Sequence, residues 1–160
     1  MKIMDDPKAC LRTAIRLLTQ RDHSRLELSN KLADRGYART HIEKAIDECV
    51  RLAYLDDTRF ASGYVEQLQK RGYGCRRMRQ MLMAKGLNVE VIDTSLEACC
   101  RDEVQYRDCR EAAVKKLKGN PGVGNVAKLK SKLYRFLFSR GFSTAIVMQV
   151  LDDVLGGGRP

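Results

Sequence analysis

Apolar residues return at intervals of three and four along most of the chain, and short polar breaks cut this pattern into helix-length pieces. Leu11, Ile15 (or Ala14) and Leu18 share one face of a segment at 8–21. Leu28 and Leu32 do the same before Gly36, and Ile42, Ile46, Cys49 and Val50 after it, to about Ala53. Phe60, Tyr64 (or Val65) and Leu68 mark a helix at 57–71. Cys75, Met78 and Leu82 mark another that stops at Gly86, with Lys85 in its last turn. A segment at 102–118 and a helix from Asn125 with Leu129, Leu133, Phe136 and Leu137 inward complete the pattern. No convincing period-two run interrupts it, and only three Pro occur in 160 residues. The fold class is therefore all-α.

The pattern repeats when the chain is aligned on Gly36, Gly86 and Gly141, which lie 50 and 55 residues apart. Eight and four positions before them stand Leu28 and Leu32, Met78 and Leu82, Leu133 and Leu137. The preceding residue is basic (Arg35, Lys85, Arg140) and the following one large and apolar (Tyr37, Leu87, Phe142). Six and ten positions later come Ile42 and Ile46, Ile92 and Leu96, Val147 and Leu151. Each glycine suits a helix cap at positive φ, with the next residue folding back on the helix just ended. The spacing predicts an elongated array of three tandem three-helix repeats at 8–55, 56–100 and 101–155, with flexible ends at 1–7 and 156–160. Ser24 with Glu27 and Thr40 with Glu43 read as capping boxes, Asp56-Asp57 as a helix start, and Asn125 as a cap after the break Asn120–Asn125.

Charge changes the picture. The formal net charge is +10, and two windows contain no acid: Gln67–Val89 and Ala112–Leu151. They hold fourteen of the thirty basic residues, leaving sixteen basic against twenty acidic residues elsewhere. All the positive excess thus sits on two helical, apolar-patterned stretches, as expected of a folded surface facing a polyanion. Arg76 and Arg79 share a helix face with Arg77 to one side, and Lys128, Lys132 and Arg135 share a stripe. A solvated helix ordinarily carries Glu for pairing, and these do not. Helix-turn-helix readout of DNA sequence is disfavoured, because the cations span two repeats and Asn and Gln are sparse there; backbone contact fits better.

The chemistry of an enzyme is missing. No phosphate loop, dinucleotide-binding glycine motif, zinc-protease motif or nucleophile elbow occurs. The acidic pairs fall at helix ends, His23 at a cap and His41 on a helix surface, so no catalytic residue, cofactor or metal is expected. The six cysteines (Cys10, Cys49, Cys75, Cys99, Cys100 and Cys109) form no C-x-x-C pair. They read as core thiols or bland surface rather than a metal site or disulfide framework, with Cys99-Cys100 the spot most open to oxidation. The opening MKIMDDPKAC lacks an apolar signal core, and no stretch is long enough to span a bilayer, which predicts a cytoplasmic protein. The absence of a long heptad seam predicts a monomer.

Several motifs carry a family resemblance. YLDD-x-x-F at Tyr54–Phe60, KRGYG at Lys70–Gly74, R-x-x-L-x-x-K-G at Arg79–Gly86, RDHS-x-x-E-L at Arg21–Leu28 and LYRFLFSRGF at Leu133–Phe142 resemble the RecX family of recombinase regulators. The resemblance covers roughly residues 10–155, more loosely in the third repeat, and Cys75 departs from it where Pro is common. It implies a non-enzymatic modulator that lies in the groove of the RecA–single-stranded DNA filament and inhibits ATP hydrolysis, strand exchange and co-protease activity. Arg71, Arg76, Arg77, Arg79, Lys128, Lys132 and Arg135 are the candidate contacts to RecA or to single-stranded DNA phosphate, with double-stranded DNA as a further target. Two alternatives stand beside it: a non-specific DNA-binding protein with no recombinase partner, and a redox sensor built on Cys75 beside Arg76 and Arg77.

Overall fold

A computed structural model describes residues 6–119 and 126–156. Among them are nine α-helices and no β-strand: α1 Pro7–Gln20, α2 Arg25–Ala33, α3 Arg39–Arg51, α4 Asp57–Lys70, α5 Cys75–Ala84, α6 Val89–Leu96, α7 Asp102–Lys118, α8 Val126–Ser139 and α9 Thr144–Leu155. The all-α tandem-repeat reading is borne out. The break Asn120–Asn125, the Asn125 cap and most of both terminal segments lie outside the described residues.

The glycine alignment has a backbone cause. Gly36, Gly86 and Gly141 all have positive φ, between 75° and 95°. The N–H of the residue after each glycine donates to the carbonyl of the leucine five positions back: Tyr37 to Leu32, Leu87 to Leu82, Phe142 to Leu137. These are the bonds that end a helix with a left-handed cap. The six aligned residues ahead of the glycines are all buried, as are Ile42, Ile92, Leu96, Val147 and Leu151 behind them; Ile46 is half-buried.

Two capping expectations are corrected in detail. α3 starts at Arg39 behind Ala38, which offers no side-chain cap, so Thr40 already lies inside the helix. Glu43 is then free to pair with Arg39, one turn back, at 2.9 Å. The Ser24 box is half-formed: Ser24 Oγ accepts from the Glu27 N–H at 3.1 Å and donates to the Lys85 carbonyl at 2.7 Å. The Glu27 carboxylate turns instead to Arg21 and Lys85. Asp56 caps α4 by accepting from Thr58 and Arg59 N–H, as expected of that pair. Asp57 reaches across to accept from the Arg25 N–H at 2.9 Å, so it caps α2.

The chain forms two compact units. One comprises the residues up to Tyr64 together with Leu82–Ile92; the other, Val65–Met81 and the residues from Asp93 on. In the first, α1, α2 and α3 close over Cys10, Ala14, Leu17, Leu28, Leu32, Ile42, Ala45, Cys49 and Leu55. In the second, α7, α8 and α9 close over Cys109, Ala113, Leu133, Leu137, Phe142, Val147, Val150 and Leu151. The second repeat is divided between them, with Phe60, Leu82, Leu87 and Ile92 buried in the first unit and Leu68, Met78 and Leu96 in the second.

Candidate polyanion interface

The part of the basic helix α5 that belongs to the second unit, up to Met81, owes its position to two glycines. Gly74 donates its N–H to the Arg140 carbonyl at 2.8 Å, and the Arg76 N–H reaches the Gly141 carbonyl at 3.2 Å. A Cβ on Gly74 would lie 2.6 Å from backbone atoms of Gly141 and Phe142; one on Gly141 would lie 2.4 Å from the Arg77 backbone N and Cβ. Only bare backbone on both sides permits this approach. It delivers the Arg76 guanidinium to the Phe138 ring, 4.1 Å from its centroid, where it also donates to the Phe138 carbonyl at 2.7 Å. Phe138 stacks on Tyr134 at 5.9 Å and is 37% exposed. The result is an accessible arginine–aromatic platform, the combination that suits phosphate and base at once.

A second cluster surrounds Arg140. Its guanidinium lies 4.8 Å from the Tyr73 ring centroid and 5.1 Å from that of Phe136, and donates to the Arg71 carbonyl at 2.7 Å. The Arg71 guanidinium approaches the same Tyr73 ring at 5.6 Å, and the Lys116 ammonium approaches Phe136 at 5.0 Å. Arg71, Lys116, Phe136 and Arg140 border a cleft of about 780 Å³ that also takes in Lys70, Arg107 and Lys115, offset by Glu66, Asp108 and Glu111. The acids pair with three of these cations, Glu66 with Lys70 at 4.0 Å, Asp108 with Arg107 at 2.9 Å and Glu111 with Lys115 at 2.8 Å, so Arg71, Lys116 and Arg140 are the cleft's cations outside those pairs.

Of the seven candidate residues, Arg71 and Arg76 join these clusters. Arg77 is exposed and leans on Gln80 at 3.3 Å. Arg79 pairs with Asp93 at 2.6 Å, both half-exposed. That acid lies just beyond the acid-free window, so the linear reading overlooks it. Lys128, Lys132 and Arg135 are exposed along α8, and their neighbour Lys130 pairs with Asp152 at 2.8 Å. Arg140, Lys116 and the rings of Tyr73 and Phe136 were not among the candidates. The signals for Arg140 are its place in an acid-free window and ahead of a repeat glycine, and the equivalent residues at the other glycines differ: Lys85 pairs with Glu27 at 3.4 Å, and Arg35 donates to its own helix.

His23 lies at the start of α2, next to the cap Ser24, and is buried at 2% exposure; its Nδ1 lies 2.9 Å from the Arg21 carbonyl, and burial lowers its pKa. The cysteine expectation changes. Four cysteines are buried thiols as read, but Cys75 and Cys100 are joined as a disulfide, their Cα atoms 5.5 Å apart. Twenty-five residues separate them, and no spacing rule reads such a pair. Among the described residues no group of His, Cys, Asp or Glu is placed to hold a metal, and no helix is long and apolar enough to cross a membrane.

The repeat architecture and its chemistry match one family. Models of the first, second and third three-helix domains of RecX match residues 10–49, 56–96 and 103–151. This chain belongs to the RecX family. It is 37% identical over 147 residues to the regulatory protein RecX of Vibrio vulnificus, covering 91% of this chain and 92% of that one. The RecX of Legionella pneumophila is 33% identical over 142 residues, covering 89% and 92%. The crystal structure of RecX from Lactobacillus salivarius superposes with a TM-score of 0.78 at 20% identity, over 94% of this chain and 97% of that one. A second crystal structure of a regulatory protein RecX gives 0.82 at 20% identity, over 91% and 73%. These relatives carry a regulatory rather than a catalytic name, and the solved structures share the fold.

Proposed function

We propose that this RecX family member is a non-enzymatic cytoplasmic regulator of homologous recombination and DNA repair. In this reading it binds the RecA–single-stranded DNA filament in its groove and inhibits RecA ATP hydrolysis, strand exchange and co-protease activity. Arg71, Arg76, Arg77, Arg79, Lys128, Lys132 and Arg135 carry the electrostatic contact. The observation behind this assignment is the exposed platform of Arg76 on Phe138, with the Arg71–Arg140 cluster as its companion. Guanidinium groups held over rings are oriented before they meet a phosphate, so less side-chain entropy is lost on binding. A filament offers many copies of the same weak contact.

The deciding experiment titrates this protein into RecA hydrolysing ATP on single-stranded DNA. Inhibition is expected at few copies per filament, and the triple change Arg76→Ala, Arg77→Ala, Arg79→Ala should shift the curve to higher concentration while leaving helical content intact. Inhibition only at coating concentrations would show competition for phosphates and favour a non-specific DNA-binding protein. An unshifted triple variant would remove α5 from the interface.

A further inference from the structure

The six cysteines fall into two classes. Cys10, Cys49, Cys99 and Cys109 are buried, and burial pushes their thiols up, that of Cys109 to about 12. Buried thiols of this kind are inert towards exchange. Cys99 is further occupied, its Sγ donating to the Leu96 carbonyl at 3.3 Å. Cys75 and Cys100 differ, since both are only half-buried and their Cα atoms stand 5.5 Å apart, in the middle of the range for a bridge. Cys75 opens α5; Cys100 lies in the turn between α6 and α7.

Their opposition does not depend on sulfur. The buried Gln105 side chain accepts from the Cys75 N–H through Oε1 at 2.9 Å and donates through Nε2 to the Cys99 carbonyl at 2.7 Å. One amide thus holds both backbones, and the bonds of Gly74 and Arg76 to the Arg140–Gly141 carbonyls steady the same end of α5. With the bridge open, the two thiols remain face to face. A pair arranged in this way closes and opens without refolding.

We propose that Cys75 and Cys100 form a reversible thiol–disulfide clasp, oxidised by a low-molecular-weight disulfide, that fastens the first turn of the basic helix α5 to the turn after α6. The Cys75 thiolate, at a helix N-terminus beside Arg76 and Arg77, attacks one sulfur of the oxidant and releases one small thiolate, leaving a mixed disulfide. Cys100, its proton lost to solvent, attacks the Cys75 sulfur and expels the second small thiolate. The two cysteines give up two electrons and two protons, and the oxidant leaves as two thiols. Excess reduced small thiol runs the sequence backwards. The clasp stands whatever partner the basic helix serves.

The test uses the full chain, fully reduced and then incubated with oxidised glutathione, with remaining thiols mass-tagged in denaturant and the peptides mapped. Tags should fall from the six cysteines of the sequence to the four buried ones, with a cross-link joining Cys75 to Cys100. Dithiothreitol should restore all six. Cys75→Ser and Cys100→Ser should each trap glutathione on the surviving partner instead of forming another protein cross-link. Amide exchange in the first turn of α5 should slow on oxidation. Six tags throughout, a cross-link between Cys99 and Cys100, or unchanged exchange at that turn would overturn the clasp.

Discussion

Glu27 shows how much one side chain can depend on neighbours remote in sequence. Arg21 meets its carboxylate with two hydrogen bonds at 2.7 and 3.2 Å, and Lys85 adds charge at 3.4 Å. The Arg21 bonds foremost, against the opposing effect of burial, hold the Glu27 carboxyl down at about 2. A carboxyl with its folded pKa depressed stabilises the fold above its unfolded value and loses that contribution as pH falls through the folded one. The window is therefore from about pH 4.5 down to about pH 2. Glu27→Gln should flatten urea stability across that window and cost roughly 2 kcal/mol at neutral pH. His23, whose pKa burial lowers, acts with the same sign at higher pH, because the unfolded chain takes up its proton first. Ala53 offers the opposite experiment. It sits at φ 56° after α3, exposed, in a conformation that favours glycine. Ala53→Gly should raise the urea midpoint, by roughly 0.5–1 kcal/mol in stability.

Helices were legible where their signals are local. The apolar spacing and the glycine caps placed α2, α5 and α8 correctly, because a left-handed cap is satisfied by the five residues before it. Thr40 was misread because Thr40 with Glu43 has the spacing of a capping box, yet the chain begins α3 two residues earlier, behind Ala38, with no side-chain cap at all. The docking of α5 beside α8 left only a faint trace. In the sequence Gly74 stands out only as part of the KRGYG motif and Gly141 as a cap, while their shared work is to let two backbones touch. Gly141→Ala should therefore cost more than a cap alone: roughly 2–4 kcal/mol from the positive φ and the clash with Arg77 together. A urea midpoint lowered no further than by the same change at Gly36 would show that the close approach contributes nothing.

At the scale of the whole molecule, charge is the property that most concerns function. The excess of +10 is carried by two acid-free windows, and folding disperses part of it into pairs such as Arg79 with Asp93 and Lys130 with Asp152. This alters a measurable number. If all seven candidate cations reach phosphates of single-stranded DNA, the logarithm of affinity should fall against that of salt with a slope of about −5, or about −4 if Arg79 keeps Asp93. Fluorescence anisotropy of a labelled oligonucleotide across a salt series measures it. A slope near zero would move these cations from DNA to a protein partner.

Fold class, repeat number and the family's motifs were determined by the sequence alone, because helix periodicity, glycine caps and charge windows are written within a few neighbouring residues. Tertiary structure decided the rest: that Asp57 caps α2, that Arg79 meets Asp93, that Arg140 approaches the rings of both Tyr73 and Phe136, and that Cys75 faces Cys100. Each of these joins residues from different helices or turns, and which of many possible partners a side chain meets is set by backbone approach at places such as Gly74 and Gly141. Local pattern contains the helices. It does not contain the distances between them.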